Sequence, residues 1–227
     1  MRPSANVIVV KRCIDIAIGF VGTSVFLGLY PFLALLIKLE SPGPALYSQE
    51  RIGLNRRSPR RDGEDAKEFP ERREDVGGKP FIIYKFRSMR MDAEANGPQL
   101  AKKGVDPRVT RVGWWLRALH LDELPQFWNV LRGDMSFIGP RPERAHFTRQ
   151  FHETIPHYRS RTLWVKPGLT GLAQITLGYD EGMDSVVRKS YFDYSYRASF
   201  SHFRSWARME WWIFLNTVLY LTIKPRR

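Results

Sequence analysis

The sequence predicts a mainly α-helical protein with a few short β-strands, held to one face of a membrane by an N-terminal helix broken at a proline and by amphipathic interfacial helices. Three observations carry that reading. Ile16 to Ile37 runs for 22 residues without a charge, with Pro31 inside the run. Basic residues flank it on both sides: Arg2, Lys11 and Arg12 before, Lys38, Arg51, Arg56 and Arg57 after. Near the C-terminus, Phe200, Phe203, Trp206, Trp211, Trp212, Phe214 and Tyr220 are interspersed with Arg204 and Arg208.

At about 1.5 Å per residue, a straight helix over the uncharged run reaches about 33 Å, enough to cross a bilayer core. The run is too long for the apolar part of a signal peptide, and Lys38-Leu39-Glu40 follows where small residues would mark a cleavage site. The segment is therefore expected to stay on the mature protein. Pro31 removes one backbone hydrogen bond and kinks the helix. Cations on both flanks favour placing both ends in the cytoplasm. A re-entrant helix, bent at Pro31 and returning to the same face, satisfies both facts when the bend packs against protein. A single-pass anchor is the alternative. Residues 1–40 are assigned to this membrane helix and 41–227 to a cytoplasmic domain.

Trp211 to Ile223 is 13 residues, too short to span. Aromatic side chains mixed with arginine suit a helix at the headgroup level, so 200–223 reads as an interfacial helix, with a buried core helix as the alternative. The formal net charge is +13 and 43% of residues are hydrophobic, so the chain can bury a core and suits an anionic partner. Residues 56–78 hold seven basic and seven acidic residues and almost nothing apolar, and read as a charged, mobile insertion. The single cysteine, Cys13, excludes a disulfide scaffold and a Cys-based zinc cluster, and a buried thiol is its expected state. His146, His152 and His157 are spaced six and five apart, which does not align them on one helical face as metal ligands.

Lys79 to Phe86, after Gly77-Gly78, reads as a strand. Trp114 to Leu119 and Pro125 to Leu131 read as helices, the second closed by Gly133, and Glu143 to Tyr158 as a helix ending near Pro156. Gly139-Pro140-Arg141-Pro142 and Pro167-Gly168-Leu169-Thr170-Gly171 read as turns or loops.

Chemistry concentrates in Leu116 to Pro142, LRALHLDELPQFWNVLRGDMSFIGPRP. Asp122 and Glu123 precede Pro125, which is tolerated in a first helical turn. That places both carboxylates at a helix N-terminus, where the dipole keeps them ionised and also attracts phosphate. An ionised carboxylate beside a phosphoryl group can act as a nucleophile or hold a divalent cation. From these residues alone, Asp122 as an N-cap with Glu123 in the first turn is the simpler reading.

The stretch LDELPQFWNVLRGDMSFIGPRP resembles the signature of the bacterial sugar transferases, which are monotopic phosphoglycosyl transferases. The resemblance extends to IKLESPGPALYSQERIG (37–53), GKPFIIYKFRSM (78–89) and KPGLTGLAQI (166–175), in the family's order. It implies that the chain moves a sugar 1-phosphate from a UDP-sugar to polyprenol (undecaprenyl) phosphate, releasing UMP, with Mg2+ required. Such a reaction starts a lipid-linked glycan: exopolysaccharide, capsule or O-antigen. The resemblance also implies that Asp122 is the nucleophile, forming a covalent phosphosugar intermediate, and that Glu123 is its catalytic partner and Mg2+ ligand. It places a re-entrant helix broken at Pro31 in the bacterial inner (plasma) membrane, with both ends cytoplasmic and 41–227 as the catalytic domain. Asp193, in YFDYSY, matches an acidic family position near the active site. Without the four-helix membrane domain of longer members, the chain looks like the family's minimal form.

Phosphoryl transfer needs positioning and neutralisation of spreading charge. Arg87, Arg117 and Arg141 lie in the matched motifs as phosphate forks, Arg141 foremost because Pro140 and Pro142 fix it. Lys85, two before Arg87 on the predicted strand, shares its face. With Asp193 these form the expected substrate-binding set. Three positions depart from the family pattern. Tyr30 stands where Ser often precedes the breaking proline. Thr176-Leu177-Gly178-Tyr179 replaces a common Gly-Arg pair, which leaves Arg188 or Lys189 as substitutes. Ser205 stands at a later family Asp. These departures motivate an alternative, a catalytically inactive membrane scaffold of a polysaccharide assembly complex. The charge motivates a membrane-tethered nucleic-acid binder, but no nucleic-acid motif accompanies it, so nucleic acid is not an expected partner. The expected partners are the UDP-sugar donor, the polyprenol phosphate acceptor and membrane lipid, with a homo-oligomer left open.

Overall fold

The computed structural model describes residues 3–56, 77–95, 97, 106–155, 157–177 and 182–223. Most of the charged insertion (57–76) lies outside the described residues, as do Gly178 and Tyr179. The described chain is mainly helical with four short strands.

The first helix, α1 (Ala5–Glu40), begins well before the uncharged run because its charged residues fall on an inward face. Val7, Lys11, Asp15, Gly19, Gly22 and Phe26 recur every three or four residues and are all buried. Lys11 pairs with Glu210 of α7 (Phe203–Ile223). Arg12 donates to the Val130 and Leu131 carbonyls at 2.8 and 2.7 Å, at the end of α3 (Gln126–Arg132). Asp15 Oδ1 accepts from Ser136 Oγ and from the Phe137 N–H, each at 2.9 Å. Lys11 and Arg12, expected as topology signals on the flank, are thus used inside the fold. A Cβ at Gly22 would lie 2.2 Å from the Phe127 ring, so only glycine lets α1 and α3 approach this closely.

The outward face of α1 is apolar, with Phe20, Val21, Leu27, Phe32, Leu35 and Leu39 all exposed. Cys13, expected to be buried, is also exposed. By length and composition α1 can cross a membrane, and it stays helical through Pro31 to Glu40. Its C-terminal end joins Phe26, Ala34 and Ile37 to Ala45, Phe86 and Leu116 in one core cluster. Its N-terminal end puts Val7 into another, with Ile138, Tyr196, Phe200, Trp206 and Ile213. Both ends of α1 are therefore fixed to the same body.

Strands β1 (Leu46–Ile52) and β2 (Pro80–Phe86) form an antiparallel ribbon that sets Tyr47 opposite Lys85 and Arg51 opposite Phe81. Helix α2 (Arg111–Ala118) leads through a 3-10 turn at Leu121–Glu123 to α3, which Gly133 closes at φ 91°, a left-handed value. β3 (Ser136–Ile138) pairs in parallel with β4 (Gly168–Thr170). Residues 168–170, expected as a turn, are thus a strand, and their partner lies some thirty positions earlier in the chain, beyond the reach of local pattern. Next come α4 (Ala145–Thr154), a 3-10 turn at Tyr158–Thr162, α5 (Leu172–Thr176) and α6 (Met183–Ser199). One face of α7 is buried in the core and the other is exposed and apolar. Trp206 and Ile213 are buried, whereas Trp211, Trp212, Leu215 and Leu219 are exposed.

Candidate active site

His120 adopts φ 57° and turns the chain out of α2, so Leu121–Glu123 form their own 3-10 turn. Pro125 then occupies the N-cap of α3, and its side chain makes no cap. Asp122 is therefore not an N-cap. The two carboxylates precede α3 instead of lying in its first turn. Asp122 is 4% exposed and Glu123 half-buried.

The dyad meets β2 through two contacts. Lys85 Nζ donates to Glu123 Oε1 at 2.9 Å. Asn129, fully buried in α3, donates Nδ2 to the Ile82 carbonyl at 2.7 Å and accepts the Tyr84 N–H on Oδ1 at 3.2 Å. Its amide occupies the edge of β2 as a strand residue would, which satisfies backbone groups that burial would otherwise leave costly. This pins α3 to β2 and sets Lys85 against Glu123.

Cations crowd this corner. Burial pushes the Lys85 ammonium below its usual range; Glu123 and Asp122 oppose the shift, and Arg141 adds to it. Burial also lowers Arg51 to about 10, with Arg141 and Arg144 contributing and Glu143 opposing. Arg141 is thus within electrostatic reach of both Lys85 and Arg51. Its own guanidinium makes no hydrogen bond or ion pair among the described residues.

The expected substrate-binding residues divide. Lys85 is bound to Glu123, and Arg141 acts on the charge of Lys85. Arg87 turns elsewhere: its buried guanidinium donates from Nη1 to the Pro42 carbonyl at 2.7 Å and from Nη2 to the Ser41 carbonyl at 2.6 Å and the Ile37 carbonyl at 3.3 Å. Arg87 is a cap on the C-terminus of α1, because the last carbonyls of a helix need donors and its fork reaches them. It lies one residue past the end of β2, where its N–H donates to the Ala45 carbonyl at 2.8 Å. Arg117 stands in the last turn of α2, where its charge helps hold the Asp106 carboxyl down near 2, mainly the work of the Arg108 hydrogen bond. Asp193, buried in α6, accepts Arg161 Nη1 at 2.9 Å. Burial lifts its carboxyl to about 6 against the pull of Arg161. Lys189 lies one turn before Asp193 and acts on its charge, while Arg188 is exposed. Sequence reasoning missed Arg51, Asn129 and Arg161. Arg51 stood inside the matched stretch 37–53 but was counted only as flanking charge.

Magnesium is commonly held by one or two carboxylates, with water and substrate phosphate completing the octahedron. Asp122 and Glu123, adjacent in one turn, fit that donor set. No cluster of three or more His, Cys, Asp or Glu suited to a metal occurs among the described residues, and magnesium of this kind does not need one.

Fold and site together define a helical protein with a long apolar N-terminal helix, presenting an acidic dyad beneath a group of cations. The chain belongs to the bacterial sugar transferase family, whose model matches residues 6–60 and 64–224. It is 42% identical over 201 residues to the UDP-N-acetylgalactosamine-undecaprenyl-phosphate N-acetylgalactosaminephosphotransferase of Aeromonas hydrophila, covering 88% of this chain and 42% of that protein. It is 42% identical over 176 residues to the UDP-glucose:undecaprenyl-phosphate glucose-1-phosphate transferase of Caulobacter vibrioides, covering 78% of this chain and 57% of the relative. An exopolysaccharide production protein of Rhizobium leguminosarum bv. phaseoli is 41% identical over 175 residues, with 74% of each chain covered. The chain thus spans about half the length of the first two.

Proposed function

We propose that this chain is a phosphoglycosyl transferase that moves a sugar 1-phosphate from a UDP-sugar to undecaprenyl phosphate and so begins a lipid-linked glycan. The observation that carries the reading is the buried Asp122 beside Glu123, with Lys85 on Glu123 and Arg141 within reach, in a member of this family. The relatives' names support the donor and acceptor classes.

In the proposed reaction, an Asp122 carboxylate oxygen attacks the sugar-bearing phosphorus of the donor. A carboxylate–phosphorus bond forms, the phosphoanhydride bond breaks, and UMP leaves. A phosphate oxygen of the lipid acceptor then attacks the same phosphorus, releasing the Asp122 carboxylate and forming the lipid diphosphosugar. Lys85 and Arg141 balance charge on the transferred group, and Lys85 orients Glu123. Asp122 and Glu123 would hold Mg2+, which when bound supplies further neutralisation of phosphate charge.

Two observations support seating at the cytoplasmic face of the inner membrane. Both ends of α1 are tied to one body, as a re-entrant helix bent at Pro31 requires. Exposed apolar side chains on α1, on α2 (Trp114, Trp115) with Leu119 at its end, and on α7 offer surface for lipid. The test is UMP release in nanodiscs with Mg2+, undecaprenyl phosphate and a panel of UDP-sugars. Release with a donor, abolished by Asp122→Asn, is expected; full activity in that variant would sink the mechanism. No release with any donor would favour a scaffold.

A further inference from the structure

Arg141 lies in a loop with few means of holding itself. Pro140 and Pro142 have no N–H, so this stretch cannot donate into a ladder or a helix there. The Gly139 N–H donates to the Thr170 carbonyl at 2.8 Å, and from Pro140 onward the loop is held through its acceptors. The Pro140 carbonyl accepts from the Gly168 N–H at 2.9 Å and the Arg141 carbonyl from Arg161 Nη2 at 2.7 Å. The Pro142 carbonyl accepts from Arg51 Nη1 at 3.1 Å and the Glu143 carbonyl from the Ile52 N–H at 2.8 Å. Four successive carbonyls are thus bound by β4, the 158–162 turn and β1.

The hold on Arg141 itself is the most elaborate. Arg161 is 6% exposed, its guanidinium lies 4.8 Å from the centre of the Tyr158 ring, and its other terminal nitrogen is bound to Asp193. One planar fork therefore joins a carboxylate on α6 to a carbonyl in the loop, which a lysine ammonium cannot match in geometry. Stability is a weak reason for such a pair. Buried ion pairs are often replaceable by apolar side chains at no loss, because desolvation offsets attraction. Placement of the loop is the stronger reason. The Arg141 guanidinium, with no hydrogen bond or ion pair among the described residues, lies within electrostatic reach of Lys85 and Arg51, like charges that an anionic group would offset.

We infer that Arg161 and Asp193 are positioning residues, fixing the Arg141 backbone so that its guanidinium meets the diphosphate of a nucleoside diphosphate donor. The inference rests on Arg141 as a diphosphate ligand. It moves Asp193 from a substrate contact to a support standing behind one.

The experiment is calorimetric binding of UDP with Mg2+ to the full chain in nanodiscs, with thermal midpoints recorded for each variant. Arg161→Lys keeps a cation opposite Asp193 but cannot hold both partners. It is expected to weaken UDP binding about tenfold, the scale of one charge-assisted hydrogen bond, with a midpoint near that of the unaltered protein. Asp193→Asn is expected to act in the same direction. Arg141→Ala is expected to weaken binding at least as much. Adding Arg161→Lys to Arg141→Ala should weaken it no further, because the pair acts through Arg141. Additive losses, or unchanged affinity in Arg161→Lys, would overturn the inference while leaving Arg141 in place. Unchanged affinity in Arg141→Ala would overturn the reading beneath it.

Discussion

At the end of β2, Arg87 turns its guanidinium onto the carbonyls that finish α1. In the 139–142 loop the relation is reversed: other residues hold the backbone of Arg141, and its guanidinium, without a hydrogen bond or ion pair among the described residues, acts on the charge of Lys85. Both arginines stand in motifs that resemble the family signature, and both read from sequence as phosphate forks. The difference lies in what each local backbone lacks. A helix end leaves acceptors that need donors, so an arginine beside it becomes a cap. A loop bracketed by prolines has few donors to give, so its acceptors are taken from outside and its side chain is released for other work.

That contrast can be broken most sharply at Arg141. Arg141→Ala should lower turnover at least a hundredfold while the thermal midpoint hardly moves, since its side chain supports nothing in the described fold. Arg87→Met should do the opposite. Removing a buried cap leaves the last carbonyls of α1 without donors, an expected loss of about 3 kcal/mol seen in thermal or denaturant unfolding, with UDP affinity of the folded protein kept. If Arg87→Met instead abolished UDP binding without changing stability, the cap reading would be wrong. Gly22→Val should also act on stability, by about 1–3 kcal/mol through the clash with the Phe127 ring, and should cut activity as α3 shifts. The smallest effect is expected at Arg117, whose charge acts on Asp106. Arg117→Ala should change turnover less than twofold and stability by about 0.5 kcal/mol or less.

Much of the site was legible because its signals are local. Asp122, Glu123, Pro125 and Gly133 mark a turn, a helix start and a helix stop within a dozen residues, and the structure keeps that order. What local pattern misses is the left-handed His120, which turns the chain out of α2 and gives the dyad a 3-10 turn of its own. The long-range contacts were not legible at all. Arg87 reaches back some fifty positions to Ile37, and Arg161 joins Asp193 more than thirty ahead. No spacing rule encodes such partners. Lys11 and Asp15 show the same limit within α1. Charge before an apolar run reads as a membrane flank, yet burial at helical spacing makes these residues the inward face of one longer helix.

The central claim, that Asp122 carries the phosphosugar, is tested most directly by intact-protein mass spectrometry. The full chain in nanodiscs is mixed with Mg2+ and a UDP-sugar that supports UMP release, without lipid acceptor. A mass gain of one phosphosugar is expected, mapped to the peptide bearing Asp122, with one equivalent of UMP released and neither event in Asp122→Asn. UMP release that requires the acceptor, with no adduct at any time, would contradict it.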